Sequence, residues 1–299
     1  MDRLTSMSVF VKAVDLGSFA AAADALDLSG PMVGKHVRFL EERLGARLIN
    51  RTTRRQSLTD FGRAYYERCR LVLAEVEAAD ALVTGQLSEP RGKLRVTMPA
   101  LLGRRCVAPI LLQLAQQYPT LELDLSFGDR IIDLVEDGYD LAIRTGNLED
   151  RAGVIQRRVA RHRMIVCASP SYIEANGRPY AIEDLGRHHA IIYTRPGWIH
   201  PWLFPRDDQP PIEATPIVRM RLDDLDAIAD AATAGMGLAW LPSWLVRERI
   251  QAGTLVALLA DQPGYFFDNY VLWPKTPHLP LKTRLAVDAL AAGLPKFMA

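Results

Sequence analysis

Clustered basic side chains are the residues of this chain whose type and spacing best suit binding to another molecule. Residues 35–70 contain ten lysines and arginines and four acidic residues, a net charge of +6, whereas residues 71–90 carry only four charges, all acidic. The whole chain has a net charge of +1, so the basic block is hidden in the total. Such a block is suited to the phosphates of nucleic acids, although a solvated protein surface is the alternative.

Enzymatic and metal chemistry have little support in the sequence. The cysteines Cys69, Cys106 and Cys167 lie far apart, which predicts buried free thiols, no disulfide and no metal site. Gly235-Met236-Gly237 begins a dinucleotide-binding pattern, but Trp240 occupies the place of its third glycine. We predict no catalytic residue and no cofactor. An enzyme with an acid–base pair and a solute-binding protein of the periplasm are the alternatives.

The first 58 residues are predicted to form three short helices and a hairpin. Apolar residues at helical spacing indicate helices that end near Gly17 and Gly45, and Ser18 and Ser29 are their predicted N-caps. In a winged helix-turn-helix of this layout, the third helix enters the major groove and the wing contacts the backbone or minor groove. The predicted DNA contacts are the caps, the open face of the third helix and the wing: Ser18, Ser29, Gly30, Pro31, Gly34, Lys35, His36, Arg38, Arg51, Thr52, Arg54 and Arg55.

A long helix is predicted from Thr59 to Leu87. Along it, mostly apolar residues recur at alternating steps of four and three, a heptad-like seam that favours pairing with another helix. An amphipathic helix lying on its own domain is the alternative. The predicted seam of a homodimer or homotetramer is Tyr65, Cys69, Val72, Val76, Ala79 and Val83.

The remaining residues, 91–299, alternate between strand-like and helix-like segments. This alternation predicts an α/β fold with mostly parallel sheets, and two subdomains would place a ligand in the cleft between them. The predicted helices are Arg104–Gln117, Ile131–Glu136, Asp224–Ala234 and Leu281–Ala292. No apolar run is long enough for a membrane span and no secretion signal is recognised, which predicts a cytoplasmic protein.

The sequence GSFAAAADALDLSGPMVGKHVRFLEERLGARLINRTTRRQSLTDFG, with Ser-x-Pro at 29–31, resembles the LysR-type transcriptional regulators. The resemblance continues in LRVTMPALLG, DLVEDGYDLAIRTG, CASPSYIEANGRP and ATAGMGLAWLP. It implies an all-α winged helix-turn-helix domain over 1–58, a dimerising linker helix and hinge over 59–90, and a two-lobed effector domain similar to periplasmic binding proteins over 91–299. The expected function is regulated binding to an inverted-repeat operator in double-stranded DNA.

Two departures from the family affect the expected DNA contacts. Gly30 and Gly34 stand where family members often carry Gln and Ser, so sequence recognition is expected to depend more on Lys35, His36 and DNA shape. The resemblance also implies where an effector would bind: Thr97, Pro99, Ala100, Leu101, Asp129, Arg144, Asn147, Thr194, Arg195, Trp198, Gly235 and Met236. This mixture suits a small organic anion with an apolar or aromatic body, although packing or ion pairing is the alternative for the arginines and the tryptophan.

Overall fold

The structure is a computed structural model of the 299-residue chain. It describes residues 1–51, 56–84, 89–130, 133–146, 148, 152–195, 198–199, 201–207, 209–276 and 278–298. For residues 51, 56, 74, 77–84, 195 and 198–199 it describes the backbone alone. The predicted site residues Thr52, Arg54, Arg55 and Asn147 therefore lie outside the described residues.

The N-terminal part forms the predicted three helices and hairpin. Its elements are α1 (Arg3–Asp15), α2 (Phe19–Ala25), α3 (Gly30–Leu44), β1 (Ile49–Arg51) and β2 (Gln56–Leu58). Gly17 (φ 63°) and Gly45 (φ 67°) follow the ends of α1 and α3 in the left-handed region that favours glycine. Its core includes side chains with no exposed surface: Phe10, Val33, Val37, Leu40 and Leu48.

Helix α4 (Asp60–Thr84) follows the hairpin and packs against it at backbone distance. A Cβ atom on Gly62 would lie 1.9 Å from the carbonyl oxygen of Leu48. The hydroxyl of Thr59 donates to the Arg47 carbonyl at 2.7 Å and accepts from the Gly62 amide at 2.8 Å. The first turn of α4 is thus attached directly to the strand that begins the wing.

The C-terminal part consists of helices packed on β-sheets. Its strands are β3 (Gly92–Met98), β4 (Leu121–Phe127), β5 (Leu141–Thr145), β6 (Val154–Ala168), β7 (His189–Arg195), β8 (Trp198–Ile199), β9 (Trp202–Arg206), β10 (Gln209–Ala214), β11 (Ile217–Leu222), β12 (Ala239–Pro242), β13 (Val256–Leu258) and β14 (Phe266–Pro274). Its helices are α5 (Ala100–Leu102), a π-helical turn (Gly103–Val107), α6 (Ala108–Gln117), α7 (Pro170–Asn176), a 3-10 helix (Ile182–Arg187), α8 (Leu225–Thr233), α9 (Ser243–Gln251) and α10 (Leu281–Met298).

The strand pairing is mixed, so the prediction of mostly parallel sheets was wrong. The largest sheet has the order β12-β6-β14-β5-β3-β4, with β13 also paired to β6. Within it β3 is parallel to β4 and β5, whereas β5, β14, β6, β12 and β13 form antiparallel pairs. Charged residues interrupt the apolar pattern of β6, and β14 begins with only a short apolar run. For this reason the sequence pattern did not reveal these two long paired strands.

Two predicted helices also need correction. The helix expected from Arg104 begins earlier, because Pro99 occupies the N-cap position and helical structure continues from Ala100 to Gln117 through a π-helical turn. Of the helix expected over 131–136, the described residues 133–136 form a loop and turn, in which the Asp133 carboxylate accepts from the amides of Val135 and Glu136. An aspartate that binds the next backbone amides favours a turn over a continuing helix.

Separate apolar cores divide the C-terminal part into two lobes. Lobe I contains β3, β4, β5, α6 and α10, and lobe II contains β7 to β13 and α7 to α9. Strand β6 belongs to both, because Val159 and Ala160 lie in the lobe I core and Met164 and Val166 in a lobe II core. The surface where the lobes meet is called the inter-lobe cleft below.

We predict opposite effects for alanine at two glycines of the N-terminal part. Gly62→Ala should lower the free energy of unfolding by about 1–3 kcal/mol, because its Cβ meets the backbone of Leu48. Gly34→Ala should raise it by about 0.5–1 kcal/mol, because its Cβ enters open space and alanine favours the helix. Urea denaturation followed by circular dichroism measures both. A Gly62→Ala protein as stable as Gly34→Ala would contradict the close packing of α4 on the wing.

Candidate nucleic-acid interface and effector cleft

Helix α3 has one buried face and one open, basic face. Its buried face contains Val33, Val37 and Leu40, which have no exposed surface. On the open face Lys35 and Arg38 are exposed, and a Cβ on Gly30 or Gly34 would meet no atom within 4 Å. Pro31 is also exposed, at the start of the helix. The face is therefore low in bulk, carries two positive charges and allows another molecule to approach the helix backbone closely.

His36 does not lie on this face, so its prediction as a DNA contact is corrected. The side chain is 6% exposed and its Nδ1 forms a 3.0 Å hydrogen bond with the Ser6 hydroxyl. Burial lowers the pKa of His36, which favours the neutral ring. The imidazole therefore joins α3 to α1 inside the domain and is unable to reach a base edge.

The two predicted caps differ. Ser18 caps α2, since its hydroxyl accepts from the amides of Ala20 and Ala21 at 3.2 and 3.4 Å. Ser29 occupies the N-cap position of α3, but its exposed side chain makes no capping hydrogen bond within the described structure. The first amides of α3 are therefore left without a side-chain cap, and helix N-termini of this kind attract phosphate.

The wing is attached to α3 by one carboxylate. Glu41 accepts from the amides of Leu48 and Ile49 at 2.9 and 3.3 Å. Strands β1 and β2 are antiparallel, with Arg51 opposite Gln56. The predicted wing residue Arg51 therefore begins the tip, whose remaining predicted residues lie outside the described part of the chain.

Helix α4 turns its first half inward, which corrects part of the predicted seam. Cys69 has no exposed surface and Tyr65 packs partly buried on the same core as Phe10. These two residues stabilise the chain's own N-terminal domain. Further along, Val72 is 41% exposed and Val76 is half-buried. Ala79 and Val83 lie on the helical backbone, and their side chains are outside the described structure.

A cluster of partly buried charges joins α4 to lobe I. Arg70 donates to both carboxylate oxygens of Asp140 at 3.1 and 3.2 Å and to the Gly138 carbonyl at 2.8 Å. Lys282 donates to the same carboxylate at 3.2 Å. Arg70, Asp140 and Lys282 each have a side chain that is 16% exposed. Sequence reasoning missed this cluster, because residues distant in the chain form it.

At the cleft, Arg144 lies at the end of β5 among lobe I groups. Its guanidinium donates to the carbonyls of Ile143 and Arg130 at 2.7 and 3.3 Å, and to the Thr97 hydroxyl at 3.5 Å. Thr97 itself is 3% exposed. The prediction that Thr97 touches an effector is corrected, because its buried hydroxyl lies against Arg144 and helps to position that side chain. Asp129 is exposed in the loop after β4.

The other predicted cleft residues fall into four groups. Leu101 is 8% exposed and packs in a lobe II core, so it connects the lobes and does not contact an effector, a correction to its predicted role. Gly235 and Met236 precede the end of β12 that pairs with Cys167, away from the part of β6 that enters lobe I, so the prediction that they line the cleft is corrected. The Met236 carbonyl accepts there from Arg219 at 3.2 Å. Pro99, Ala100 and Thr194 are half-buried. Arg195 and Trp198 are described by their strand backbones alone.

A chain of buried polar side chains, which sequence reasoning missed, runs from the cleft across strands β5, β14 and β6. The Thr145 hydroxyl donates to Asn269 Oδ1 at 2.7 Å, and the Asn269 amide lies 3.0 Å from His162 Nδ1. Asn269 has no exposed surface and His162 is 4% exposed. Burial lowers the pKa of His162 to about 4, so the ring is neutral and accepts from the amide. The pair Asp268-Asn269 inside an apolar strand was the sequence signal that could have revealed it.

The cysteines lie buried, as the sequence predicts. All three cysteines are buried and free, and burial raises the pKa of Cys69 to about 11 and those of Cys106 and Cys167 to about 12. Within the described residues no group of acidic, histidine and cysteine side chains is arranged to hold a metal ion. No described helix is both long and apolar enough to cross a membrane.

Comparison with known proteins agrees with this arrangement. Residues 4–63 match the family described as bacterial regulatory helix-turn-helix protein, lysR family, and residues 87–295 match the LysR substrate binding domain. An HTH-type transcriptional repressor of Pseudomonas aeruginosa is 35% identical over 96% of this chain and 91% of the relative. The HTH-type transcriptional activator AaeR of Escherichia coli is 34% identical over 97% and 93%. The structure of CrgA from Neisseria meningitidis superimposes with a TM-score of 0.60 at 30% identity, covering 96% and 97%.

The fold and the two sites define a transcriptional regulator in which a DNA-binding helix-turn-helix domain is joined to a substrate-binding domain. The chain belongs to the family of LysR-type transcriptional regulators. Its N-terminal helix-turn-helix and two-lobed C-terminal domain agree with the fold expected from the sequence.

We predict that His162 makes stability depend on acid pH. Its pKa of about 4 in the folded chain lies below the ordinary value of 6.5, so its contribution is complete above pH 6.5 and declines as the pH falls toward 4. Between pH 7 and pH 5 the loss should be about 2 kcal/mol. His162→Gln keeps an acceptor for Asn269 but does not titrate. Between pH 7 and pH 5 its free energy of unfolding should therefore fall by about 2 kcal/mol less than that of the unmodified protein. Equal losses in urea denaturation of both proteins would contradict the buried neutral imidazole.

Proposed function

We propose that the open face of α3 reads operator DNA. The observation that carries this proposal is the pairing of exposed Lys35 and Arg38 with two glycines that leave open space around the helix. An α-helix fits the major groove, where a lysine side chain reaches the O6 and N7 acceptors of guanine. The absence of side chains at Gly30 and Gly34 allows the helix backbone to approach the bases and phosphates closely.

The uncapped start of α3 and the wing supply the contacts that position this helix. The first amides of α3 favour a phosphate oxygen, and Ser29 lies beside them with its hydroxyl free of a capping bond. Arg51, where the tip of the wing begins, adds a positive charge to this part of the domain. With His36 buried, base-specific contacts rest on few side chains, so we expect DNA deformability to contribute to operator choice.

Lys35→Ala tests the reading helix. We expect it to reduce the preference for the operator over unrelated DNA by about 1–3 kcal/mol, because one base-directed cation is removed. Arg284→Ala, an exposed arginine on α10, is the matched control and should leave that preference unchanged. Fluorescence anisotropy with operator and scrambled duplexes at several salt concentrations measures both. Unchanged discrimination in Lys35→Ala would assign base reading to another surface.

The second half of α4 is proposed to pair with a second copy of the chain. Leu71 and Val72 are 37% and 41% exposed, and half-buried Val76 follows one turn later. Exposed apolar side chains repeated along one helix favour association, and two paired subunits match an inverted repeat. We therefore place the domain limits at 1–58, 59–90 and 91–299, with the homodimer, or a homotetramer of two dimers, formed through the middle segment.

Val76→Asp tests this pairing. The aspartate would bury an unpaired charge between two helices, so we expect loss of the dimer and a parallel loss of operator affinity. Val76→Leu keeps the apolar surface and should remain dimeric. Light scattering on both variants, with circular dichroism as the test of folding, distinguishes these results. A Val76→Asp protein that stays dimeric would place the interface elsewhere.

The inter-lobe cleft is proposed to bind a small organic anion that alters DNA binding. Arg144 supplies a positive charge at the cleft, and Phe267 lies close to Gly146 at the neighbouring strand end, where a Cβ would be 3.9 Å from its ring. An anion with an aromatic or apolar body suits both groups. We propose that this ligand is released chemically unchanged and that the protein acts in the cytoplasm. The Pseudomonas aeruginosa relative is named a repressor and AaeR an activator, so both repression and activation are consistent with this proposal.

A further inference from the structure

We propose that the regulator has a second anion-binding site, outside the inter-lobe cleft, on the opposite face of strand β6. Arg161 and Arg163 flank the buried His162, so strand alternation directs them away from the polar chain that leads to the cleft. They border a groove of about 600 Å³, called the arginine groove here. Its lining includes Arg158, Arg161, Arg163, Ser243, Phe266 and Met298.

The arginines of this groove have hydrogen-bonding capacity that the chain does not use. Arg158 and Arg161 share one carboxylate, Asp268, at 3.4 and 3.9 Å. Both distances exceed the roughly 2.7–2.9 Å of a strong charge-assisted hydrogen bond, and the arginine side chains remain 61% and 59% exposed. The Nη2 of Arg163 donates to the carbonyls of Ala260 and Gln262 at 3.2 and 3.0 Å, whereas its Nε is buried without a hydrogen-bond partner in the described part of the chain. The Asp268 carboxylate lies beside these arginines, and its Oδ1 is also buried without a hydrogen-bond partner in the described part of the chain. Against this single carboxylate stand three arginines, so the groove keeps an excess of positive charge for an anion.

The floor of the groove is apolar. Phe266 is 43% exposed, and the Arg161 guanidinium lies 4.3 Å from the centre of its ring. The buried side chains of Val159 and Met298 complete the apolar surface. A volume of about 600 Å³ falls within the range of small-molecule sites. The chemistry that fits is a carboxylate carried on a flat apolar body, with its oxygens on the arginine forks and its body beside Phe266.

The position of the groove gives such a ligand influence over the lobes. Ser243 begins α9, whose Leu245 and Val246 lie in a lobe II core, whereas Met298 at the end of α10 lies in the lobe I core. A ligand that contacts both lobes binds one relative arrangement of them more tightly than another. Occupation of the groove is therefore expected to change operator affinity, and operator DNA to change ligand affinity, by the same factor.

The experiment uses the full chain with 2-naphthoate as the probe and isothermal calorimetry as the measurement. We expect Arg158→Gln combined with Arg161→Gln to weaken 2-naphthoate binding at least tenfold, and Phe266→Ala to weaken it as well. Arg157→Gln is the matched control, because that arginine pairs with Asp288 and does not line the groove. The cleft variant Arg144→Gln should leave this binding event in place. Neutral 2-naphthamide should bind at least tenfold more weakly than the acid.

Two results would overturn the second site. In the first, Arg144→Gln abolishes 2-naphthoate binding and the double arginine variant binds it as tightly as the unmodified protein. This result would assign the ligand to the cleft alone. The other is absence of heat from 2-naphthoate at millimolar concentration. Operator binding measured without ligand tests the proposed DNA-reading function separately, because the groove arginines lie in the C-terminal domain and should leave that affinity unchanged.

Discussion

The contact between Arg70 and Asp140 determines how the DNA-binding part of this regulator is held against its ligand-binding part. Arg70 lies on α4, whose neighbouring residues pack into the N-terminal core, and Asp140 lies directly before β5 of lobe I. Both side chains are 16% exposed, and removal of one partner from so buried a pair costs about 3–5 kcal/mol. The orientation of α3 relative to lobe I therefore depends on this contact.

Strand β5 connects this contact to the cleft. It has five residues, and its last two, Arg144 and Thr145, are the cleft cation and the first hydroxyl of the buried polar chain. A ligand that displaces Arg144 acts on the strand that also leads from Asp140. Because Asn269 and His162 are held on neighbouring strands in a medium of low polarity, their hydrogen bonds keep that end of β5 in a defined position.

The sequence predicted local structure well wherever one helix or turn decided it. Gly17 and Gly45 mark helix ends through their left-handed backbone conformation, and Ser18 marks a helix start through its capping hydroxyl. Each of these effects depends only on residues nearby in the sequence. His36 was predicted to contact DNA and Cys69 to lie in the dimer seam, but both are buried in the N-terminal domain. Both lie at the edge of a helix's buried face, and a single sequence does not show which side of that edge a neighbouring helix covers. The Arg70–Asp140 contact and the polar chain of His162 join residues distant in the chain, so periodicity carried no signal for them.

Strand β6 has a consequence for how this regulator could change during evolution. A single strand of 15 residues supplies side chains to the cores of both lobes, and β14 pairs with residues 154–163 of it. No point along β6 separates the lobes without cutting through a hydrogen-bonded ladder. A gene fusion that exchanged one lobe for that of a homologue would therefore break both cores, whereas substitutions at the cleft or in the arginine groove leave them intact. New ligand specificity in such a domain is expected to arise by point mutation within one lineage, with little contribution from recombination inside the domain.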